Sequence, residues 1–134
     1  AMTIVLEGYD LNRFPQAKTF MNYTGLIPKK HSSGSSDPAL KITKAGNKYL
    51  RTVLVGAAKY YRDRRLLRKR AEVDALPPVL KEFVHRNQER LHERYQYLCH
   101  KGKHSNKVKV AIARELCGSI WELANKIIPN KQAA

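Results

Sequence analysis

The sequence predicts an all-α fold, a small helical domain of three longer helices plus one short N-terminal helix, with a long Ser/Gly-rich loop. Apolar residues recur at i, i+3, i+4 and i+7 along several stretches, the period of a helix with one buried face. No stretch alternates apolar and polar residues as a half-buried strand does. Helix stops stand where the stretches end, at Gly25, at the pair Pro77 and Pro78, and at Pro129. A chain of 134 residues fits one domain. It buries roughly two-thirds of its unfolded surface, so it needs no metal or disulfide staple.

The first residues, Thr3 to Leu6, read as the end of an apolar element that begins abruptly. Ala1 and Met2 look like a remnant before a start residue, so the chain is expected to be a piece of a longer protein. Phe14, Ala17, Phe20 and Met21 fall at helical spacing, and Pro15 is compatible with a first helical turn. Gly25 then closes a short helix over 17–23.

From 26 to 42 no apolar period survives. Pro28, Lys29, Lys30 and His31 lead into Ser32, Ser33, Gly34, Ser35, Ser36, Asp37 and Pro38. One reading is a flexible linker. The other is a functional loop, because helical regions flank it closely and long irregular loops in compact domains often carry function.

Thr43 is the expected N-cap of a long helix over 43–70, with Leu50, Val53, Leu54, Ala57, Tyr61 and Leu67 on its apolar stripe. Gly46 and Gly56 cost helix stability relative to Ala, and both are expected to mark close backbone approach. The end of this helix, 62–70, holds six basic residues in nine, among them Arg64, Arg65 and Arg68. A third helix is predicted over 78–98, burying Leu80, Phe83, Val84, Leu91, Tyr95 and Leu98. After a basic loop over 101–106, the last helix runs over 106–128 with Val108, Ile112, Leu116, Ile120, Leu123 and Ile127 inward.

Charge narrows the function. Twenty-six Lys and Arg face eleven Asp and Glu, a formal charge of +15. Self-repulsion of that size disfavours a compact state unless a polyanion shares its surroundings, and nucleic acid is the first candidate. An anionic membrane surface is the rival. It is disfavoured because no helix pattern joins a full basic face to an exposed aromatic wedge. No apolar run approaches twenty residues and no signal segment opens the chain. Cys99 and Cys117 fit neither a disulfide framework nor a paired zinc motif, and Cys99, His100 and His104 supply only one local sulfur, so no metal site is expected. Reduced thiols suit a cytoplasmic location.

The chemistry-bearing feature is the Ser-rich loop beside a helix start. A helix N-terminus offers free N–H groups and partial positive charge to a phosphate. Lys44, Lys48 and Arg51 are spaced i, i+4, i+7, which puts them on one face of the predicted helix. A serine held above that face could contact a DNA phosphate or attack it. Attack requires an in-line hydroxyl, a base and cations for the transition state. The loop and the lysines provide the first and third; His31 is the one nearby base.

Three stretches then carry a resemblance. They are Phe14, Pro15, Gln16, Ala17 and Lys18 with Tyr23 to Pro28; Ser32, Ser33 and Gly34; and Ile42 to Asn47 with Leu50 and Arg51. In this order they resemble the C-terminal domain of DEDD-type insertion-sequence transposases, a group related to Piv-like DNA invertases. Lys109 to Leu116 looks like that domain's last helix. Glu7 to Asp10 resembles the family's Glu-x-Gly-Asp segment with its glycine shifted, which would make residues 1–10 the remnant of a preceding helix-hairpin-helix and 1–134 a single C-terminal domain.

The resemblance implies that Ser33, with Ser32 as the fallback in register, attacks a DNA phosphate and forms a phosphoserine intermediate. Lys44, Asn47 and Arg51 match the family's Lys-x-Gly-Asn-x-x-x-Arg pattern; phosphate or backbone positioning is the role expected of them, with DNA or phosphate binding expected also of Lys48, Arg64, Arg65 and Arg68. A separate acidic N-terminal domain would hold divalent metal (Mg), leaving this domain without a cofactor. The implied partners are DNA, a structured guide RNA (the bridge RNA) and further copies of the protein, with the working site at the prokaryotic nucleoid. A non-catalytic nucleic-acid-binding module is the alternative.

Overall fold

The computed structural model describes residues 11–27, 45–65 and 74–127. Among these residues there are four α-helices and no strand: α1 (Ala17–Thr24), α2 (Lys48–Ala58), α3 (Pro78–His100) and α4 (Ser105–Glu122). A 3-10 turn at Leu11–Arg13 precedes α1, another at Lys59–Arg62 continues α2, and a π turn at Leu123–Ile127 extends α4.

The helix at the end of the chain is the centre of the fold, since α1, α2 and α3 all pack against α4. It can serve three neighbours because its buried residues spread beyond one narrow stripe: Val108 and Ile112 on the expected face, with Ala113 and Cys117 beside it. These join Phe20 and Leu26, Leu50, Leu54 and Ala58, and Leu91 and Tyr95 in a single core. Full burial of each large apolar side chain stabilises the fold by about 1.5–3 kcal/mol before entropy is counted.

Aromatic and polar contacts tie the turn at 11–14 to the far end of α4. The Phe14 ring lies tilted on Phe20 and Tyr23, with centroids 5.2 and 5.3 Å apart. The Trp121 indole donates to the Phe14 carbonyl at 2.8 Å, and Asn125 donates to the Leu11 carbonyl at 3.3 Å. Across α3 and α4 the buried Ser119 hydroxyl donates to Asn87 at 2.8 Å and accepts from Arg90 at 3.1 Å. Glu115 is clasped by Arg90 and Arg94, at 2.9 and 3.0 Å.

Several expected boundaries are corrected. Gln16, in extended conformation, holds the N-cap position of α1, so Pro15 lies before the helix. The long helix expected from Thr43 begins at Lys48 with Asn47 as its cap. It tightens at Lys59–Arg62 and stops at Asp63, whose backbone is extended (φ −116°, ψ 112°). There the Asp63 carboxylate accepts the Arg65 amide at 2.9 Å and starts a separate turn. Thr43, Leu67 and Arg70 lie outside the described residues. α3 runs on to His100, and α4 starts at Ser105 because the His104 ring nitrogen caps it, accepting the Asn106 amide at 3.2 Å.

Candidate nucleic-acid interface

The C-terminus of α1 and the N-terminus of α2 are clasped together. The Asn47 amide donates to the Tyr23 carbonyl at 2.8 Å, and the Arg51 guanidinium donates to the Thr24 carbonyl at 3.2 Å. Gly46 makes the approach possible, because a Cβ there would run into the Tyr23 carbonyl group. The Asn47 side chain accepts the amides of Tyr49 and Leu50, both at 3.0 Å, and its NH₂ reaches the Tyr23 hydroxyl at 3.5 Å. Gly25 closes α1 at φ 72°, which turns the chain directly into the buried Leu26. The described residues on either side of 28–44 therefore meet at one place.

Described members of the expected phosphate site have partners within the protein. Asn47 caps a helix, so two of the N–H groups that a phosphate would use are already bonded. Arg51 bridges to α1. Lys48 is exposed, its ammonium 5.3 Å from the Tyr49 ring centre. Ser32, Ser33, Lys44 and Arg68 lie outside the described residues, so the shared face of Lys44, Lys48 and Arg51 is described only for its last two members.

Arg64 and Arg65 are both paired. Arg65 makes a forked contact with Asp63, 3.2 and 3.1 Å, which lowers the Asp63 pKa and raises that of Arg65. Arg64 meets Glu89 of α3 at 2.7 Å. Glu89, His92 and Gln96 share one face of α3, and the latter two hold the end of α2. His92 Nδ1 donates to the Tyr61 carbonyl at 2.8 Å, and Gln96 donates to the Arg62 carbonyl at 2.9 Å. Carbonyls left over at the end of the helix are satisfied by a neighbouring one.

Gly56, expected at a close approach, has open space where its side chain would be. It belongs to an outward face of α2 and its extension that the apolar pattern did not reveal. Tyr49 and Tyr60 stand on this face, 58% and 42% exposed, beside Lys48 and Lys59. The signal was in the sequence, as Lys-Tyr pairs at 48–49 and 59–60, but buried and exposed tyrosines look alike until the inward face is known. Between Asp10 and Asp63 the sequence holds ten Lys and Arg and one acid, Asp37.

Cys117 is buried at the α4 core, and burial pushes its thiol up to about 12 against a weaker opposing contact with Thr24. Cys99 is exposed. Among the described residues no three His, Cys, Asp or Glu side chains gather as a metal group. No described helix is long and apolar enough to cross a membrane.

Residues 1–72 match the family described as Transposase IS116/IS110/IS902. A Sinorhizobium fredii protein named as transposase y4qE is 38% identical over 128 residues, 94% of this chain and 33% of its own length. The transposase for insertion sequence element IS1111A of Coxiella burnetii is 34% identical over 59 residues, 44% of this chain and 16% of its own. A Pseudomonas aeruginosa protein named as a family 20 transposase is 32% identical over 59 residues, again 44% of this chain and 18% of its own. The chain thus spans a third or less of the relatives it matches, and no solved structure matches it. With more than half of its length matched from the first residue onward, this helical, basic chain belongs to the IS116/IS110/IS902 family of transposases.

Proposed function

We propose that the chain is the DNA-handling, serine-bearing part of an insertion-sequence transposase, acting in DNA transposition at the bacterial chromosome. The observation that carries this reading is the clasp between Tyr23 and Asn47 inside the segment that matches the family. It brings together Gly25 and Gly46, described residues on either side of 28–44, in a part of the chain with ten basic residues and one acid. A long stretch with closed ends on a rigid helical base is a common vehicle for reactive residues.

In this mechanism Ser33 is the nucleophile, with Ser32 the alternative. Its Oγ bonds to the phosphorus of a DNA phosphodiester while the bond to one sugar oxygen breaks. The serine proton leaves to a base, and the departing sugar oxygen is protonated. Lys44 and Lys48 balance charge on the phosphoryl oxygens, as preorganised cations do in phosphoryl transfer. Asn47 and Arg51 act as positioning residues by fixing α2 against α1. The Mg that the resemblance implies is assigned to an acidic domain outside this chain. A structured guide RNA and further protein copies complete the proposed complex.

The test uses a full-length transposase carrying this domain, incubated with its guide RNA and a suicide DNA substrate, followed by peptide mapping. A DNA adduct on Ser33, abolished by Ser33→Ala, is the expected result. An adduct on Ser32 moves the nucleophile by one residue. Strand exchange that persists in the Ser32→Ala, Ser33→Ala double variant leaves this domain as a binding module.

A further inference from the structure

We propose that the outward face of α2 and its 3-10 extension docks an unpaired DNA strand, with bases stacked on Tyr49 and Tyr60 and phosphates along Lys48 and Lys59. The proposal rests on the reading of this chain as a DNA-handling transposase domain. It concerns the tyrosine-bearing side of α2, turned away from Arg51, and shares Lys48 with the proposed phosphoryl-transfer site.

The layout follows from helix geometry. Leu50, Leu54 and Ala58 face the core at spacings of four. Tyr49 and Gly56 are seven residues apart, two turns, on the opposite stripe, and Tyr60 continues that stripe one turn further on. Lys48, Thr52 and Lys59 form a parallel row beside it, all exposed. The result is ring, glycine, ring along one line and ammonium, hydroxyl, ammonium along the next. Each lysine lies close to its neighbouring ring, at 5.3 Å for Tyr49 and 5.2 Å for Tyr60.

Three properties select the occupant. Tyr49 and Tyr60 leave part of their rings exposed, and a base offers a flat π face to stack on them only when it is unpaired. The whole run from Lys48 through Arg62 carries no acid, so a phosphate backbone meets no repulsion and displaces its counterions on binding. Gly56 leaves the middle of the stripe without a side chain, and nothing lies within 4 Å of where one would be. A backbone can pass close to the helix there, between the two rings. The Thr52 hydroxyl between the two lysines donates to the Lys48 carbonyl at 2.8 Å. Strand exchange is the process that would supply unpaired DNA. Two tyrosines and a glycine do not make the Trp-, Phe- or Leu-lined apolar face with which a helix lies in a membrane surface.

The experiment is fluorescence anisotropy of the 134-residue chain with labelled oligo-dT, a DNA duplex and oligo-rU, alongside thermal melting of each variant. Tyr49→Ala and Tyr60→Ala are each expected to weaken oligo-dT binding by roughly 5- to 100-fold, the range that one stacked base supplies. Tyr49→Phe and Tyr60→Phe, which keep the ring, should bind within about twofold of wild type. Gly56→Glu, which raises a carboxylate in the open gap, should weaken binding as much as loss of a ring while the melting temperature holds. Alanine variants that bind oligo-dT like the wild type overturn this face alone. So does an equal loss for duplex and oligo-dT, or a preference for oligo-rU over oligo-dT of about tenfold or more. A chain that binds neither form of DNA at low salt overturns the DNA-handling reading as well.

Discussion

The backbone amide of Asn47 donates to the carbonyl of Tyr23 at 2.8 Å, across 24 residues of sequence. That bond sets where α2 starts. With the Asn47 backbone held against the end of α1, its side chain is positioned to accept two of the orphan amides of the next helix. The glycine just before it is the one residue that lets the two backbones meet.

Two glycines on the same part of the chain should respond in opposite directions to the same substitution. Gly46→Ala drives a Cβ into the Tyr23 carbonyl and should destabilise the chain by about 1–3 kcal/mol. Gly56→Ala meets open space in a helix interior and should stabilise it by about 0.5–1 kcal/mol. Urea denaturation reads both. Equal and same-signed shifts would contradict the packing at Gly46.

Asn47→Ala should cost about 0.5–2 kcal/mol, the usual loss on removing a helix cap. Asn47→Asp should retain most of that stability, since its carboxylate accepts the same amides. If Asn47 served DNA alone, both variants would melt like the wild type and differ only in affinity.

Cys117 should stay unmodified by a thiol alkylator at pH 8 while Cys99 reacts, with Cys117 becoming reactive on unfolding; peptide mass mapping distinguishes them. Burial raises its folded pKa from 9.0 to about 12, so the unfolded chain loses this proton first. The stability contribution is intact below pH 9 and is lost as pH rises from there towards 12, at up to about 1.4 kcal/mol per pH unit. Burial also raises the pKa of Tyr95, which acts in the same direction above its ordinary value of 10. Cys117→Ala should flatten the slope that begins near pH 9.

The seam between α3 and the end of α2 should prove structural. His92→Ala and Gln96→Ala are each expected to cost about 1 kcal/mol by exposing a carbonyl of the 3-10 turn. A double-mutant cycle on Arg64 and Glu89 should return a coupling of about 0.2–1 kcal/mol, small because both side chains are partly in water. A coupling of zero would show that the Arg64–Glu89 contact does not help to hold this seam.

The period of the apolar residues was enough to find all four helices, because a helix that buries one face must repeat that face every three or four residues. Gly25 reads as a stop for a local reason as well: it sits at positive φ, where residues with a side chain are strained. The basic excess, and with it the expectation of an anionic partner, is a matter of composition. Ser33 could be singled out by its motif, though the segment around it is not among the described residues.

Choices between equivalent local signals were decided by tertiary contacts. Thr43 and Asn47 are both good caps, and the carbonyl of Tyr23 decides for Asn47. Gly46 and Gly56 are the same residue in the same predicted helix, yet one lies against another backbone and the other faces solvent. Arg64 looks like any member of a basic run until Glu89, 25 residues on, is brought beside it. Tyr49, Tyr60 and Tyr61 differ only in what covers them. Helical period and backbone strain act over a few residues and are written in the sequence alone; burial, pairing and exposure depend on residues far along the chain, so only the folded arrangement assigns them.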